Sequence, residues 1–339
     1  MADIGTLKKV ARISKVTGFT RLCYFFNRNR KRIIAYHNVI PDKFFDDSLH
    51  LSHSMKESSF KAQIEMMRKR FKVSTDIEDV KSITLTFDDG YLNQYEIASK
   101  AMDRYNMKGY FFCVEDLISK GNPILMDMLQ YWVSYVEEGA YRLEELNITL
   151  ELRDEESRKL QWNKISDLLN SGVTQEKVEE EFEKVYSFKA IKGPKEKFLK
   201  LRFATIPKSS LKVMKEKGHY IGAHSASHKR LSLMNEEQLK EDIEICKKAR
   251  ENILNTNVFA YPYGSKEDIS PTVIELIAKS GFTEAFAYSN GPLKGEFQYN
   301  KYFMPRMFLA DTSDKDLIDF TLSGAKHFMA FRKLLPKWN

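Results

Sequence analysis

Short runs of β-branched and aromatic residues alternate along this chain with longer stretches whose apolar residues recur every three or four positions. RIIAYHNV (32–39) reads as a strand. SSFKAQIEMMRKRF (58–71) puts Phe60, Ile64, Met67 and Phe71 on one stripe, which predicts a helix. SITLTFDD (82–89) is a strand pattern ending in two acids; Leu92 to Tyr105 reads as helical and KGYFFCVE (108–115) as a strand. From about 116 to 200 the alternation stops, and the sequence is charge-dense, helical in character and without a barrel strand. It resumes with SSLKVMKEKG (209–218), HYIGA, NEEQLKEDIEICKKARENIL (235–254), NVFAYPYG (257–264), PTVIELIAKSG (271–281) and FTEAFAYS (282–289). Asn235 ahead of two acids is the expected N-cap of one helix, and Gly281 the expected C-cap of another. Such alternation predicts an α/β chain with a parallel sheet or barrel. The expected organisation is an N-terminal segment over 1–32, then one domain over 33–339 interrupted by a mainly helical insertion at about 116–200.

Composition narrows this picture. Hydrophobic residues make up 42%, with 23 Phe and 16 Tyr, which excludes a largely disordered chain. Cys23, Cys113 and Cys246 are odd in number and form no CxxC, so free thiols are expected rather than a disulfide framework or a thiolate metal site. The formal charge of +7 is concentrated at the ends. Residues 1–32 carry nine Lys and Arg against the single acid Asp3, interleaved with Leu7, Val10, Ile13, Val16, Phe19, Leu22, Phe25 and Phe26. This pattern fits a helix lying on an anionic membrane, and it also fits a helix docked on the body of the protein; the membrane reading is favoured. HFMAFRKLLPKWN (327–339) repeats the mixture at the other end. MADIGTLKKVARISKV has no continuous apolar core, and no run is long enough to span a bilayer. The expectation is a cytoplasmic protein, peripheral on the inner face of the cell membrane, with no nucleic-acid partner.

Two segments carry candidate chemistry. TFDDGY (86–91) delivers adjacent carboxylates, Asp88 and Asp89, at a strand end, with Gly90 allowing a sharp exit. Neighbouring strand residues point to opposite sides, so the two acids can take different jobs. HSASH (224–228) offers His224 and His228, two of only seven histidines, and their imidazoles converge on one ion if the backbone coils. Each segment alone also fits a plainer role, as a polar turn or as surface histidines. Together they supply one carboxylate oxygen and two imidazole nitrogens, an open three-ligand site for a divalent ion, with a second carboxylate free to act as a base. That composition suits hydrolysis of an amide or ester.

TFDDGY, HSASH and FAYPYG, in this order, resemble the motifs of polysaccharide deacetylases of the NodB-homology type, carbohydrate esterase family 4. The resemblance covers about 33–115 and 203–310. It implies a deformed (β/α)7-type barrel and removal of an N-acetyl group from an amino sugar, free or on a lipid-linked precursor. It further implies Asp89, His224 and His228 as ligands of Zn²⁺, with Co²⁺ or Ni²⁺ also suited, and Asp88 as the base. Tyr263, flanked by Pro262 and Gly264, would line the groove and offer its N–H to the oxyanion. Two departures stand out. Where many relatives have an arginine that pairs with the base, this chain has Ala260, and Arg306 in FMPR is the expected substitute. No Leu-x-His motif supplies the general acid; AYHNV resembles the early segment of circularly permuted members, which implies that His37 protonates the leaving amine. His50, His53 and His219 read as surface or structural histidines. The rival readings are a catalytically silent glycan-binding or scaffold protein, favoured by the missing arginine, and a hydrolase for another acyl group such as formyl or an ester.

Overall fold

The computed structural model describes residues 4–45, 53–121, 124–170, 173–185, 196–288, 291 and 300–331. Its strands are β1 (Arg32–Tyr36), β2 (Asn38–Ile40), β3 (Ser54–Lys56), β4 (Ile83–Phe87), β5 (Tyr110–Cys113), β6 (Gly139–Leu143), β7 (Ile148–Leu152), β8 (Tyr220–Ala223), β9 (Val258–Ala260), β10 (Glu284–Phe286) and β11 (Met307–Phe308). Seven of them form one sheet in the order β10-β9-β8-β5-β4-β1-β11, every pairing parallel. The chain just before β11 also reaches the far edge: Met304 bridges Phe286 of β10, while Met307 and Phe308 pair with β1. The sheet therefore curls into a deformed barrel, as expected.

The strands are buried on both faces, so each reads as a near-continuous apolar run. Alternate residues divide between two cores. Ile34, Leu85, Phe87, Phe111, Ile221 and Phe259 face outward to the helices, where Phe60, Ile64 and Met67 of the predicted stripe meet them. Ile33, Tyr110, Phe112, Val258, Phe286 and Met304 form a second cluster on the opposite parity, inside the curl. Space there is tight: a Cβ on Gly222 would sit 2.6 Å from the Phe112 ring and 2.8 Å from the Val258 carbonyl oxygen. This interior is a packed floor, and the polar residues of the same parity stand above it at the C-terminal strand ends.

Both expected caps are present. Asn235 and Gln238 form a reciprocal capping box on the helix Glu236–Asn252, and Gly281 follows the helix Pro271–Lys279 with φ +85°. All three cysteines are free and buried.

Between β5 and β8 lies the mainly helical excursion, with helices Leu125–Tyr135, Glu155–Asn170, Gln175–Val185 and Glu196–Phe203. It also contains the antiparallel hairpin β6–β7, which the sequence reading folded into a helical stretch. The reason is local: NITLEL has the period of a half-buried strand, with Leu150 and Leu152 buried and Glu151 exposed, but it is set among charged residues that read as helix. Trp132, Leu143, Leu150, Leu152, Ile165, Val178 and Phe182 give this region a core of its own. Asp127 anchors it near the first motif by accepting from Tyr91 at 2.8 Å and from Arg202 at 3.0 Å.

The N-terminal segment forms two helices, α1 (Ile4–Val16) and α2 (Phe19–Phe26), joined at Gly18 with φ +76°. Their inner face is docked: Leu7, Ala11 and Cys23 pack on Leu317, Phe320 and Ala325. Lys15 reaches Asp316 at 2.5 Å, and Tyr24 donates to Asp319 at 3.0 Å. The docked alternative thus holds for this face. Residues 332–339 of the basic tail lie outside the described residues.

His219 is the structural histidine expected, buried at the foot of β8. Its Nδ1 accepts from the Gly109 N–H at 3.3 Å, and its Nε2 lies 3.2 Å from Asp103 Oδ1. A proton on Nδ1 would face another donor. Burial pushes the imidazole from its ordinary 6.5 down to about 4, against the opposing pull of Asp103. The unfolded chain then binds a proton that the folded one refuses, so stability is full above about pH 6.5 and falls between there and about pH 4. Urea unfolding across this window should show a loss on the order of 3 kcal/mol less in His219→Gln than in wild type; equal losses would contradict this reading.

Candidate active site

Asp88 continues the interior parity of β4, and its N–H donates to the Tyr36 carbonyl at 3.0 Å. Its carboxylate is buried and gripped by Arg306, with Nη1 2.7 Å from Oδ1 and Nη2 2.7 Å from Oδ2. Arg306 is itself fully buried and also donates to the Ala287 carbonyl and to Thr86 Oγ1, both at 3.2 Å. The arginine therefore arrives from the segment that closes the barrel, and it pairs with Asp88 although position 260 is an alanine. Burial alone would raise the Asp88 pKa. Arg306, His224 and His37 outweigh it and hold the carboxyl below the usual carboxylate range.

Asp89 leaves the strand with φ +85°, followed by Gly90 at +86°. This turn, more than simple strand alternation, swings its carboxylate away from Asp88. A side chain at Gly90 would crowd Cys113, whose Sγ lies 3.0 Å from the Cβ position. Asp89 Oδ1 sits 3.6 Å from His224 Nε2 and 3.4 Å from His228 Nε2. The two histidines are brought together by the coil the sequence requires: Ser225 and His228 have φ of +62° and +57°, and Ser225 Oγ accepts from the His228 N–H at 2.8 Å. Beneath the coil, buried Asp242 accepts from the N–H groups of Ala226 and Ser227 and from the Ser227 hydroxyl, at 2.7 to 3.0 Å.

These three side chains fit a divalent cation. One ligand atom from each lies within 4.8 Å of the others. His224 Nδ1 sits 2.8 Å from the Ala260 carbonyl, so Nδ1 carries the proton and Nε2 turns its lone pair toward Asp89. Asp89 Oδ1 is buried with no hydrogen-bond partner among the described residues. A carboxylate oxygen facing two imidazole nitrogens at this range is a donor set that suits a positive charge between them. His228 responds in the same sense: burial works against its charged form, but Asp89 outweighs burial and raises the imidazole pKa.

His37 breaks the strand between β1 and β2, and its Nε2 points at Asp88 Oδ2 from 3.8 Å. Gln94, in a π-type widening of the following helix, donates to the His37 carbonyl at 3.1 Å and to the Asp88 carbonyl. Tyr263 and Gly264 turn the third motif with φ of +58° and +66°. The Tyr263 ring lies 5.3 Å from that of His228, and the Arg230 guanidinium covers it at 4.6 Å. Pro262 accepts from the Gly264 N–H at 2.6 Å, and a side chain at Gly264 would strike the Tyr288 backbone. Four of the seven non-glycine residues with positive φ among the described residues, namely Asp89, Ser225, His228 and Tyr263, belong to the three motifs, so backbone strain gathers at this site.

His53 is exposed, as expected of a surface histidine, and its ring stacks on His37 with centroids 4.5 Å apart and an interplanar angle of 20°. Its Nε2 is 3.5 Å from the Tyr288 hydroxyl. The contact follows from strand register: β2 and β3 pair in parallel with Asn38 opposite Ser54, so the histidine before each strand becomes the neighbour of the other. Asp242 and Gln94 were missed because their value lies in backbone groups they hold, which spacing does not reveal. His50 lies outside the described residues. A cavity of about 460 Å³ opens beside this site, lined by His37, His53, Met55, Tyr288 and Phe308 and running to the helix Ala325–Phe331.

Comparison with known proteins agrees with this geometry. The family model for polysaccharide deacetylase matches residues 75–285, more than half of the chain. No curated protein sequence matches. Among solved structures, the Streptococcus pyogenes deacetylase PplD, determined with acetate, is 13% identical; the match covers 86% of this chain and 98% of PplD with a TM-score of 0.55. IcaB from Ammonifex degensii is 16% identical over 86% of this chain and 97% of its own, with a TM-score of 0.50. A polysaccharide deacetylase from Bacillus cereus is 14% identical over 87% of this chain and 68% of its own, with a TM-score of 0.51. At such identities the structural likeness speaks for the fold, and the family match carries the assignment: the chain belongs to the polysaccharide deacetylase family and is a carbohydrate deacetylase.

Proposed function

We propose that this chain removes the N-acetyl group from an amino sugar of a glycan or of its lipid-linked precursor, with Asp88 as general base and His37 as general acid. The observation that carries this reading is a buried carboxylate, Asp88, kept ionised by Arg306 beside a separate cluster of Asp89, His224 and His228. Asp89, His224 and His228 would hold the divalent ion; zinc suits one carboxylate and two imidazoles, as do cobalt and nickel. When bound there, such an ion supplies a Lewis acid that polarises the acetamide carbonyl and acidifies nearby water.

The chain's own groups supply the proton transfers. Asp88 takes a proton from water as its oxygen attacks the carbonyl carbon. Arg306 fixes the direction of that carboxylate, so it needs no reorientation. The Tyr263 N–H faces the developing oxyanion. His37 then gives a proton to the departing nitrogen as the C–N bond breaks, leaving acetate and a free amine. The 3.8 Å between His37 and Asp88 also lets the abstracted proton pass from base to acid. Acetate, bound in the PplD structure, is the product of this reaction. The aromatic and imidazole rings lining the 460 Å³ cavity suit the apolar faces of a sugar. The missing motif arginine was the argument for a silent scaffold, and Arg306 now occupies that role at Asp88.

Acetate release from N-acetylated amino-sugar oligosaccharides tests the reading. Asp88→Asn should lower turnover by about 10²- to 10⁴-fold while retaining the metal, as read by elemental analysis. A variant as active as wild type would remove Asp88 as the base, and release of formate or cleavage of an ester in place of acetate would change the acyl group. Arg306→Met should destabilise the protein by about 3–5 kcal/mol, because it strands a buried charge. Adding Asp88→Asn should recover part of that loss in a double-mutant cycle; strictly additive losses would show that the two side chains do not act as a pair.

A further inference from the structure

The outward side of α1 and α2 takes no part in the chemistry, and its composition is unusual for a water-facing surface. Of the twelve exposed large hydrophobic side chains among the described residues, Ile4, Ile13, Val16, Leu22, Phe25 and Phe26 lie on these two short helices. Val16 is 87% exposed and Phe26 68%. Scattered apolar residues are ordinary on a surface, but a patch of them marks a contact. Helical geometry explains how they gather. The inner stripe of α1 (Leu7, Ala11, Ser14) and that of α2 (Thr20, Cys23) are buried against the body, so Lys9, Ile13 and Val16 on α1 and Arg21, Leu22 and Phe25 on α2 face outward.

The charge of this face chooses its partner. From Ile4 to Arg30 the chain has seven Lys and Arg and no acid. Arg12 and Lys15 are turned toward Asp314 and Asp316. Lys9, Arg21 and Arg28 are exposed among the apolar residues, and Arg28 lies over the Phe25 ring at 4.2 Å. A second copy of the chain would bring like charges together. A bilayer rich in anionic lipid accepts both parts of the pattern: rings and aliphatic chains enter the headgroup boundary, while lysine and arginine meet lipid phosphates.

We propose that this α1–α2 face docks on the surface of an anionic lipid bilayer. The proposal stands apart from the catalytic reading, because none of these residues touches the active site. One structural link does connect them. The helix Ala325–Phe331 contributes Lys326 and Ala330 to the cavity beside His37, and its Phe328 packs at a tilt against Phe19 of α2 with ring centroids 5.7 Å apart. Docking would thus set the cavity beside His37 one helix away from the lipid surface.

Co-sedimentation of the full chain with vesicles tests this. The probes are phosphatidylcholine alone and phosphatidylcholine mixed with phosphatidylglycerol. Wild type should sediment with the anionic vesicles, bind the neutral ones far more weakly, and dissociate as salt is raised. Phe25→Ser/Phe26→Ser should weaken binding by at least about tenfold, and so should Lys9→Glu/Arg21→Glu. Both variants should keep wild-type acetate release on a water-soluble substrate, which separates lost docking from lost folding or chemistry. Absence of wild-type binding to anionic vesicles, or equal binding by wild type and both variants, would overturn the proposal. A concentration-dependent dimer in analytical ultracentrifugation that the Phe25→Ser/Phe26→Ser variant abolishes would assign the face to self-association instead.

Discussion

An ionised carboxylate shut away from water at the end of β4 depends on a guanidinium delivered from 218 residues further along the chain. Much else in the molecule serves that meeting. The packed interior of the curled sheet excludes water beneath Asp88, and residues 304–308 must join β10 to β1 before Arg306 can reach it. A buried pair of this kind adds little net stability compared with apolar residues of the same size. Its value lies in direction and charge: two short hydrogen bonds leave the carboxylate one orientation, with the remaining lone pairs turned to the site.

The second constraint is backbone geometry. Asp89, Ser225, His228 and Tyr263 each adopt a left-handed conformation that costs free energy, and each is held there by its surroundings. Asp242 pins the coil between the two histidines, and Gly90 and Gly264 remove side chains that would meet Cys113 and Tyr288. The result places two adjacent acids in different surroundings. Asp88 faces Arg306 and His37, while Asp89 faces two imidazoles.

Much of this was legible in the sequence, because the relevant signals were local. The run SITLTFDD announces a buried strand and its two terminal acids, and HSASH announces paired imidazoles. The stripe Phe60, Ile64, Met67 is a helical face whatever lies beside it. Arg306 was reachable only by asking what could replace a cation absent at Ala260. The His53–His37 contact, Asp242 and Gln94 were not found, because they rest on strand register, a buried loop anchor and backbone carbonyls. The hairpin β6–β7 was hidden by its charged setting. For the N-terminal segment, one face packs on the helix Lys315–Leu322, as the docked alternative expects, and the other exposes the apolar and basic residues that suggested lipid.

The convergence of Asp89, His224 and His228 on one cation is open to direct observation. Anomalous diffraction at the zinc edge, from crystals grown with zinc, should give a single peak at about 2.0–2.2 Å from a carboxylate oxygen of Asp89 and from Nε2 of both histidines. No peak there, or an ion held by other side chains with these three turned away, would contradict the site.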